Sequence, residues 1–418
     1  MSDLPTTGIV SPSRSEFAAL RATHRMVPVT RTLLADGETP VGVYGKLAQD
    51  RPGTFLLESV EQGRSWSRYS FIGVHATATL TEQDGQARWI GTPPPGAPAE
   101  GAPLDVLVQT WRSLHSPRLP KLPPLVGGLV GYLGYDVVRH LEKLPEHAVP
   151  DLGIPELTML VATDLAIVDH HECSVILVAN AFLQAESTDA EADAAYADAV
   201  ARLDAMTVAL NTPTPPSIAT TQLVPPREFH SRTPEGEYQP AVKQALEYVA
   251  AGDIFQVQIG QRFEVPTTAD PFQIYRVLRT LNPSPYMYLL RLDGFDIVGC
   301  SPEALVTVQD RHAVLHPIAG TRKRGDTPER DAELAAELVS DEKERAEHIM
   351  LVDLARNDMG RVCTPGSVQV VELGAVERYS HVWHIVSTVT GEVAAGKDAF
   401  DVLTSCFPAG TLTGAPKV

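Results

Sequence analysis

A proline-rich stretch limits how this chain of 418 residues can fold. The run NTPTPPSIATTQLVPPR, at Asn211–Arg227, follows an Ala- and Asp-rich segment at 192–210 whose composition favours a helix. Proline interrupts helices and central strands, so such a run is typical of an interdomain linker. We therefore predict an N-terminal domain at 1–210, a linker at 211–230 and a second domain at 231–418.

Net charge and cysteine spacing narrow the classes of function. The net charge is −18 at pH 7, and such a surface repels nucleic acid and anionic membranes. An anionic substrate would need local positive charge from backbone amides, basic side chains or a bound cation. The four cysteines form no C-x-x-C pair, which favours a reduced compartment. With no apolar signal core at the N-terminus, we predict a cytoplasmic protein.

Strand-like and helix-like patterns are mixed along the chain. Asp164–Asn180 reads as a hairpin that turns near residues 170–173. After the linker, Thr233 and the proline behind it predict a helix start, and Gly252 predicts its end. The run DIFQVQIGQRF then alternates apolar with polar residues, as a strand does. This mixture predicts an α/β or α+β fold with largely antiparallel sheets.

The hairpin turn also carries a possible metal-site composition, at His170, His171, Glu172 and Cys173. Neighbouring strand residues point to opposite faces, so these four side chains do not easily converge. We predict a polar hairpin tip.

Two carboxylates lie in the segment with the strongest signal of a functional site, the helix predicted around Glu344. Glu344 and Glu347 are three residues apart and share a helical face, about 5–6 Å apart at Cβ. Two such carboxylates make half of a site for Mg²⁺, which keeps several waters and substrate oxygens. The alternative is a solvated face with Lys343–Glu347 and Glu344–His348 pairs. The apolar run that follows at once, 349–352, favours a buried helix.

A glycine and a threonine follow the predicted strand at 313–316. Gly320 would let backbone N–H groups approach an anion, and Thr321 would add a hydroxyl donor. The alternative is a tight turn at a strand end. The basic residues at 322–324 add positive charge, or are surface residues only.

Two further side chains could take part in proton transfer. Glu303 follows the predicted strand at 295–300, and burial there would raise its pKa and make it a general acid. A surface glutamate is the alternative. His384 lies in a predicted strand on the face of Val382 and Val386, where a core histidine is the alternative.

The last residues of the sequence predict a helix N-terminus at Thr413–Pro416, a common anion site. Because the sequence stops at Val418, with that helix barely begun, we expect a C-terminal truncation.

These ordered runs together resemble component I of anthranilate synthase, a chorismate-utilising enzyme family, along nearly the whole length. The matching runs are FLLESVEQGRSWSRYSFIG, GDIFQVQIGQRF, NPSPYMYLL, GCSPEALV, PIAGTRKRG, DEKERAEHIMLVDLARND, ERYSHVWHIVS and FPAGTLTGAPKV.

The resemblance implies a fold and a reaction. The fold is an α/β sandwich in which N- and C-terminal parts interleave around a two-layer antiparallel β-sandwich flanked by helices. The reaction adds ammonia at ring carbon 2 of chorismate, expels the carbon-4 hydroxyl and then eliminates pyruvate, with Mg²⁺ on a ring carboxylate.

The resemblance also implies roles for individual residues. Glu347 would be a Mg²⁺ ligand, supported by Glu344 on the same face. Glu303 would protonate the departing hydroxyl, and His384 would assist proton removal before pyruvate leaves, with Thr321 beside it. The residues expected to contact chorismate are Gly320, Thr321, Gly410, Thr411, Thr413 and Gly414.

Two positions separate this chain from sibling enzymes of the family. Aminodeoxychorismate synthases commonly carry a nucleophilic Lys where this chain has Ala319. Water-adding isochorismate and salicylate synthases carry a Lys base where it has Gln256. Without either lysine, external ammonia is the expected nucleophile, and the aminodeoxychorismate branch is the second choice.

The family binds tryptophan as a feedback inhibitor, between an L-L-E-S motif and an N-P-S-P-Y-M motif. The resemblance therefore implies tryptophan contacts at Ser59 and at Pro285, Tyr286 and Met287. An ordinary strand end and a proline turn are the alternatives for these two segments.

Ammonia in this family comes from a separate glutamine amidotransferase subunit. No G-x-C-x-G nucleophile motif occurs in this chain, so we expect a heteromer with that partner. Family members continue beyond the A-P-K-V run with further substrate and metal ligands, so we expect impaired catalysis. The alternative is a non-catalytic module that senses tryptophan or docks the amidotransferase.

Overall fold

The structure is a computed structural model in which two compact units can be described. The described residues are 8–59, 68–114, 116–119, 122–145, 151–215, 218, 228–379 and 381–418. The first unit comprises Met1–Ala219 and Pro271–Cys300, and the second comprises Thr220–Asp270 and Ser301–Val418. The first unit therefore takes residues from both sides of the predicted linker, whereas the second takes none from before it. Most of the linker lies outside the described residues.

Short and long strands occur throughout the described chain. They are β1 (Val10–Ser11), β2 (Met26–Leu34), β3 (Thr54–Glu58), β4 (Tyr69–Gln83), β5 (Gln86–Gly91), β6 (Gly128–Leu133), β7 (Leu157–Asp169), β8 (Ser174–Phe182), β9 (His230–Ser231), β10 (Gln256–Val257), β11 (Phe263–Glu264), β12 (Tyr286–Arg291), β13 (Asp296–Ser301), β14 (Thr307–Gln309), β15 (His312–Leu315), β16 (Ile318–Lys323), β17 (Gln369–Arg378), β18 (Val382–Glu392) and β19 (Gly414–Ala415).

Helices alternate with these strands. They are α1 (Arg14–Leu20), α2 (Pro40–Leu47), α3 (Pro103–Ser113), α4 (Val138–Leu141), α5 (Asp189–Leu210), α6 (Tyr238–Ala251), α7 (Pro271–Leu281), α8 (Pro328–Ser340), α9 (Glu342–Gly360), α10 (Ala399–Cys406) and α11 (Gly410–Thr413). Within the described ranges, none of them combines the length and apolar character needed to cross a membrane.

One large sheet organises the first unit. Its main path runs β1-β2-β8-β7-β4-β3-β12-β13, with β5 added to β4 and β6 to β7. The long strands pair antiparallel, including β12 with β3. Buried apolar residues of β2, β7 and β8 pack with α2 and α5 into a core in which Val27, Tyr44, Leu177 and Leu203 are fully buried. The predicted hairpin of β7 and β8 and the helix α5 are confirmed.

A smaller antiparallel sheet organises the second unit. Its path runs β14-β15-β18-β16, and β17 pairs with the other edge of β18. Buried residues of α9, α10 and this sheet form the core, among them Val352, Met359, Val389 and Val402. The mixed α/β fold with antiparallel sheets is thus confirmed.

Three local predictions were wrong. The helix α6 begins at Tyr238, because residues 235–237 form a turn, although Gly252 ends it in the left-handed region as predicted. The run at 253–263 is not one strand and contributes only β10 and the first residue of β11. Thr413 ends the short helix α11, and Gly414–Ala415 form β19 instead of starting a helix.

Candidate active site

The second unit brings Gly320, Thr321 and His384 together on neighbouring strands. In the β16–β18 pair, Thr321 lies opposite His384, directly after a bulge between Ala319 and Thr321. At the bulge Gly320 adopts φ +66°, a conformation that favours glycine. The Nδ1 atom of His384 lies 2.8 Å from the Gly320 carbonyl oxygen and 3.3 Å from Thr321 Oγ1.

These contacts fix which nitrogen of His384 is basic. A carbonyl oxygen only accepts hydrogen bonds, so Nδ1 carries the hydrogen in the neutral ring and Nε2 keeps its lone pair. The ring of Tyr379 meets the imidazole edge-on, with 5.0 Å between ring centroids. The Thr321 side chain is exposed. The site therefore presents a proton acceptor and a hydroxyl on one strand pair.

The helix α9 carries the two carboxylates that were predicted to share a face. Asp341 caps its first turn by accepting from the backbone N–H groups of Lys343 and Glu344. Glu344 and Glu347 are half-buried. Their partners are Arg322 and Gln256, at 3.3 Å and 3.1 Å, and not the neighbouring residues of the solvated-face alternative.

Each of these carboxylates keeps an oxygen available. Arg322 and Gln256 contact the Oε1 atoms, and within the described part of the chain no hydrogen bond reaches either Oε2. The Oε2 atom of Glu344 lies 3.3 Å from the point where a Cβ on Gly320 would stand. Among the described residues, Gln256 Oε1 is buried and has no hydrogen-bond partner. This donor set suits a hard cation that keeps waters and substrate oxygens.

The protein ligands in this arrangement are few. Among the residues described, no group of three or more His, Cys, Asp or Glu side chains could hold a metal ion. Two carboxylates fit Mg²⁺, which is commonly bound through one or two of them.

The run 410–414 lies against the same helix. A Cβ on Gly410 would stand 2.7 Å from Leu354 Cδ1 of α9, so only glycine fits without a shift. Gly414 lies opposite Val257 in the β10–β19 pair, and a Cβ on it would stand 2.1 Å from the Gln256 backbone oxygen. Because the Gln256 side chain contacts Glu347, this run lies next to the carboxylates. Thr411 and Thr413 are half-buried in it.

Lys417 anchors this run to α9 and α10. Its Nζ donates to Asp358 Oδ2 at 2.8 Å and to the backbone oxygens of Ser405 and Cys406 at 3.2 and 2.8 Å. Both charged side chains are nearly buried. Burial raises the pKa of Asp358, and the Lys417 ammonium opposes that rise.

Glu303 follows β13 and is half-buried. Burial alone raises the pKa of its carboxyl to about 8. Its backbone forms a local turn with Ser301, whose hydroxyl donates to the Glu303 carbonyl oxygen at 2.9 Å. Within the described residues, no hydrogen bond or ion pair joins its carboxyl to His384 or Glu347. The group is thus protonated at neutral pH, as a general acid must be.

The two segments predicted to bind tryptophan are neighbours in the first unit. Met287 lies opposite Glu58, the last residue of β3, in the antiparallel β3–β12 pair. Ser59 and Tyr286 are the residues next to this pair in the two segments. Tyr286 is partly exposed and Met287 is buried. Pro285 precedes the strand directly. The two motifs therefore meet at one end of a strand pair.

An ion pair and a tyrosine hydroxyl hold the last residue of β3 in place. Glu58 is buried and accepts from Arg279 Nε and Nη2 at 2.8 and 3.0 Å, and from the Tyr275 hydroxyl at 2.7 Å. Burial and the neighbouring Glu58 carboxylate raise the pKa of Tyr275, so it remains a donor. Because three donors satisfy this carboxylate, the end of β3 is held firmly.

The hairpin tip is polar, as predicted. The Asp169 carboxylate accepts from the backbone N–H groups of His171 and Glu172 and pairs with Arg68. His170 instead contacts Ser70 Oγ through Nε2, at 2.8 Å.

Sequence reasoning missed the partners of the predicted site residues. Arg322 was interpreted as a possible surface residue, yet it joins Glu344 to Asp341. Gln256 was considered only for the lysine it replaces. Its partner lies 91 residues away, and no spacing rule reports such a distance. The alternation in DIFQVQIGQRF was the one local signal.

Comparisons with known proteins show the family to which the chain belongs. The family model described as chorismate binding enzyme matches residues 53–418. The chain is 57% identical over 412 residues to "Anthranilate synthase component 1" of Mycolicibacterium smegmatis, covering 97% of this chain and 78% of that relative. It is 48% identical over 418 residues to the protein of the same name from Arthrobacter globiformis, covering 98% of this chain and 78% of the relative.

A solved structure is also similar. The crystal structure of anthranilate synthase component I from Streptococcus pneumoniae superimposes with a TM-score of 0.72 at 30% sequence identity. The match covers 86% of this chain and 77% of that one.

Proposed function

The chain belongs to the chorismate-binding enzymes, in the branch of anthranilate synthase component I, and we propose that its second unit converts chorismate and ammonia into anthranilate and pyruvate. The observation that carries this proposal is the strand pair that joins His384 to Gly320 and Thr321. It places a proton acceptor beside backbone and hydroxyl groups that can bind a carboxylate-bearing ring.

His384 is proposed to remove the proton from ring carbon 2. Its Nε2 accepts the proton, the C–H electrons form the ring double bond to carbon 3, and the bond from ring carbon 3 to the enolpyruvyl oxygen breaks. The enolate that leaves takes a proton from solvent at its methylene carbon and becomes pyruvate. The product ring becomes aromatic as pyruvate leaves. The Gly320 carbonyl oxygen stabilises the imidazolium, because it accepts from Nδ1–H.

Glu303 is proposed to supply the proton for the earlier step. Its carboxyl remains protonated up to about pH 8, so it can protonate the carbon-4 hydroxyl as ammonia adds at carbon 2. A protonated hydroxyl leaves as water, which is a better leaving group than hydroxide.

Glu344 and Glu347 are the residues that would hold Mg²⁺, each through its available oxygen. The bound ion would supply positive charge for a ring carboxylate of chorismate. Gly320 and Thr321 would contact the substrate from β16, and the residues Gly410, Thr411, Thr413 and Gly414 would close the site over α9.

Ammonia is the proposed nucleophile because no side chain replaces it. Ala319, where aminodeoxychorismate synthases commonly carry lysine, is buried and has no amine. We propose that a glutamine amidotransferase subunit supplies the ammonia in a cytoplasmic heteromer. The four cysteines are free thiols, which is compatible with that location.

Tryptophan is the proposed feedback inhibitor, bound in the first unit. Ser59, Pro285, Tyr286 and Met287 would line its site at the end of the β3–β12 pair. The pairing of Glu58 with Met287, directly beside Ser59 and Tyr286, supports this proposal.

Product analysis tests the proposed reaction. The full chain is incubated with chorismate, Mg²⁺ and ammonium, and both anthranilate fluorescence and released pyruvate are followed. We expect the two products in equal amounts, and their loss in Glu347→Gln. Glu342→Gln, an exposed residue of the same helix, is the matched control and should keep full activity. Amination of chorismate without pyruvate release, or no binding of chorismate by calorimetry, would overturn the proposal.

A further inference from the structure

Arg322 lies between two carboxylates at the beginning of α9. Its Nη2 donates to Asp341 Oδ2 at 2.7 Å, and its Nη1 donates to Glu344 Oε1 at 3.3 Å and to the Thr321 backbone oxygen at 3.0 Å. The guanidinium is only partly exposed. Three acceptors from α9 and its own strand therefore hold one cation beside Glu344.

We propose that Arg322 is a positioning residue that limits the affinity of the Glu344–Glu347 site for a divalent cation. This inference rests on the proposed function, in which these carboxylates hold the metal. In the metal-free protein the guanidinium neutralises Glu344, which reduces the repulsion between Glu344 and Glu347 on one helical face.

The same contact orients Glu344. Because Arg322 engages Oε1, the other oxygen, Oε2, lies toward Gly320, 3.3 Å from the position that a Cβ would occupy. Arg322 is itself held by Asp341, which caps α9 through the Lys343 and Glu344 N–H groups.

The charges set the direction in which metal affinity should change when Arg322 is replaced. A doubly charged ion on Glu344 Oε2 would stand within a few ångströms of the guanidinium, and like charges at that range repel strongly in a partly buried site. The orienting hydrogen bond to Glu344 is single and long, so its loss is the smaller effect. Removing the positive charge of Arg322 should therefore tighten metal binding.

Glu347 provides a contrast on the same helix. Its partner, Gln256, is neutral and donates to Oε1 at 3.1 Å. A neutral amide orients a carboxylate without repelling a cation. Glu347 is therefore oriented by a neutral partner, whereas Glu344 is both oriented and neutralised by a cation.

Direct metal binding tests this inference. Mn²⁺ replaces Mg²⁺ as a paramagnetic probe, and its binding to the full chain without substrate is measured by the loss of the free-ion EPR signal. We expect Arg322→Gln to lower the Kd for Mn²⁺ about three- to tenfold. Arg322→Lys keeps the charge and should stay within about twofold of the wild type. Lys323→Gln, an exposed neighbour on β16 with the same change in charge, is the matched control.

The outcomes separate the inference from the proposed metal site. Binding in Arg322→Gln that is unchanged or weaker than in the wild type overturns the inference, provided that Glu344→Gln/Glu347→Gln loses binding. If that double variant binds Mn²⁺ as the wild type does, or if neither wild type nor Arg322→Gln binds it, the metal site itself is wrong. Thermal unfolding of every variant confirms that the fold is intact.

Discussion

The Nδ1 atom of His384 lies 2.8 Å from the backbone oxygen of Gly320, so a strand backbone sets the tautomer of this imidazole. Backbone carbonyls do not titrate, and the pairing of β16 with β18 holds this one in place. The basic nitrogen is therefore Nε2, and its availability depends on the bulge at Gly320.

Replacing His384 by asparagine should remove catalysis and preserve this contact. The asparagine amide can donate from the position of Nδ1, but it has no group at the position of Nε2. We expect kcat to fall by about 10²- to 10⁴-fold, the usual contribution of a general base, with an unchanged unfolding midpoint. Steady-state kinetics on chorismate and ammonium, with thermal unfolding, measure both. A variant that keeps more than half of the wild-type kcat would exclude His384 as the base.

Alanine at Gly320 should damage both stability and activity. The φ of +66° costs an L-residue about 1–2 kcal/mol, and the new Cβ would stand 3.0 Å from Leu338 Cδ1. We expect a loss of at least about 1 kcal/mol in the free energy of unfolding, measured with urea, and a lower kcat. Gly260→Ala is the control, because no atom of the described residues lies within 4 Å of its Cβ position. Equal stability of the two variants would contradict the strain at Gly320.

The rate should fall as pH rises through about 8, because the proposed acid Glu303 then loses its proton. An acid whose pKa is raised in the folded state is protonated below that pKa and ionised above it, so activity is lost on the alkaline side. We expect up to a tenfold decrease in kcat per pH unit above the midpoint. The assay must hold the concentration of unprotonated ammonia constant at each pH.

Glu303→Gln should give a slow enzyme whose rate no longer falls between pH 7 and 9. The stability of this variant should also depend less on pH. In the wild type, folding takes up a proton at Glu303 at pH values between the ordinary carboxyl pKa and about 8. A wild-type rate that keeps rising through pH 9 would refute the assignment.

The elements that carry the site could be predicted because their signals are local. The glycine and threonine at 320–321, the paired carboxylates of α9 and the alternating strand of His384 are each read within one turn or one strand. The hairpin at 164–180 and the end of α6 at Gly252 depend on equally short signals. Family resemblance then assigned chemistry to these positions.

Contacts between residues that are far apart in the sequence could not be predicted. Lys417 and Asp358 are 59 residues apart, and Gln256 and Glu347 are 91 apart, so no periodicity reports either pair. The start of α6 was misplaced because Thr233 and Pro234 are good capping residues in a segment that forms a turn. Burial of Glu303 also depends on packing, and its raised pKa could not be read from a single glutamate.

Tryptophan binding should depend on Ser59 while the reaction does not. Removing one hydroxyl contact costs about 0.5–1.5 kcal/mol, so Ser59→Ala should weaken tryptophan binding several-fold in calorimetry and raise the inhibitory concentration equally. Its kcat without tryptophan should match the wild type. Ser113→Ala, another half-buried serine of the first unit, is the control. Unchanged tryptophan affinity in both Ser59→Ala and the bulkier Ser59→Phe would place the tryptophan site elsewhere.

Lys417→Met should destabilise the protein in a pH-dependent manner. The substitution leaves the buried Asp358 carboxylate without its ammonium partner, and breaking a buried pair costs about 3–5 kcal/mol. Burial already raises the pKa of Asp358, and loss of Lys417 should raise it further. Such an acid is neutral in the folded state at low pH, so the penalty should be small near pH 5 and grow toward pH 8. Urea unfolding at both pH values measures the difference.

The double variant Lys417→Met/Asp358→Asn should recover part of that stability at pH 8, because an uncharged amide costs less to bury than a carboxylate. Asp358→Asn alone leaves Lys417 with two backbone acceptors, at Ser405 and Cys406, and should be the milder single change. A double-mutant cycle at each pH isolates the pair from these backbone contacts. A coupling energy that is the same at pH 5 and pH 8 would show that Asp358 is not the titrating partner. A Lys417→Met penalty that shrinks as pH rises would contradict the expected ionisation of Asp358 in the folded variant.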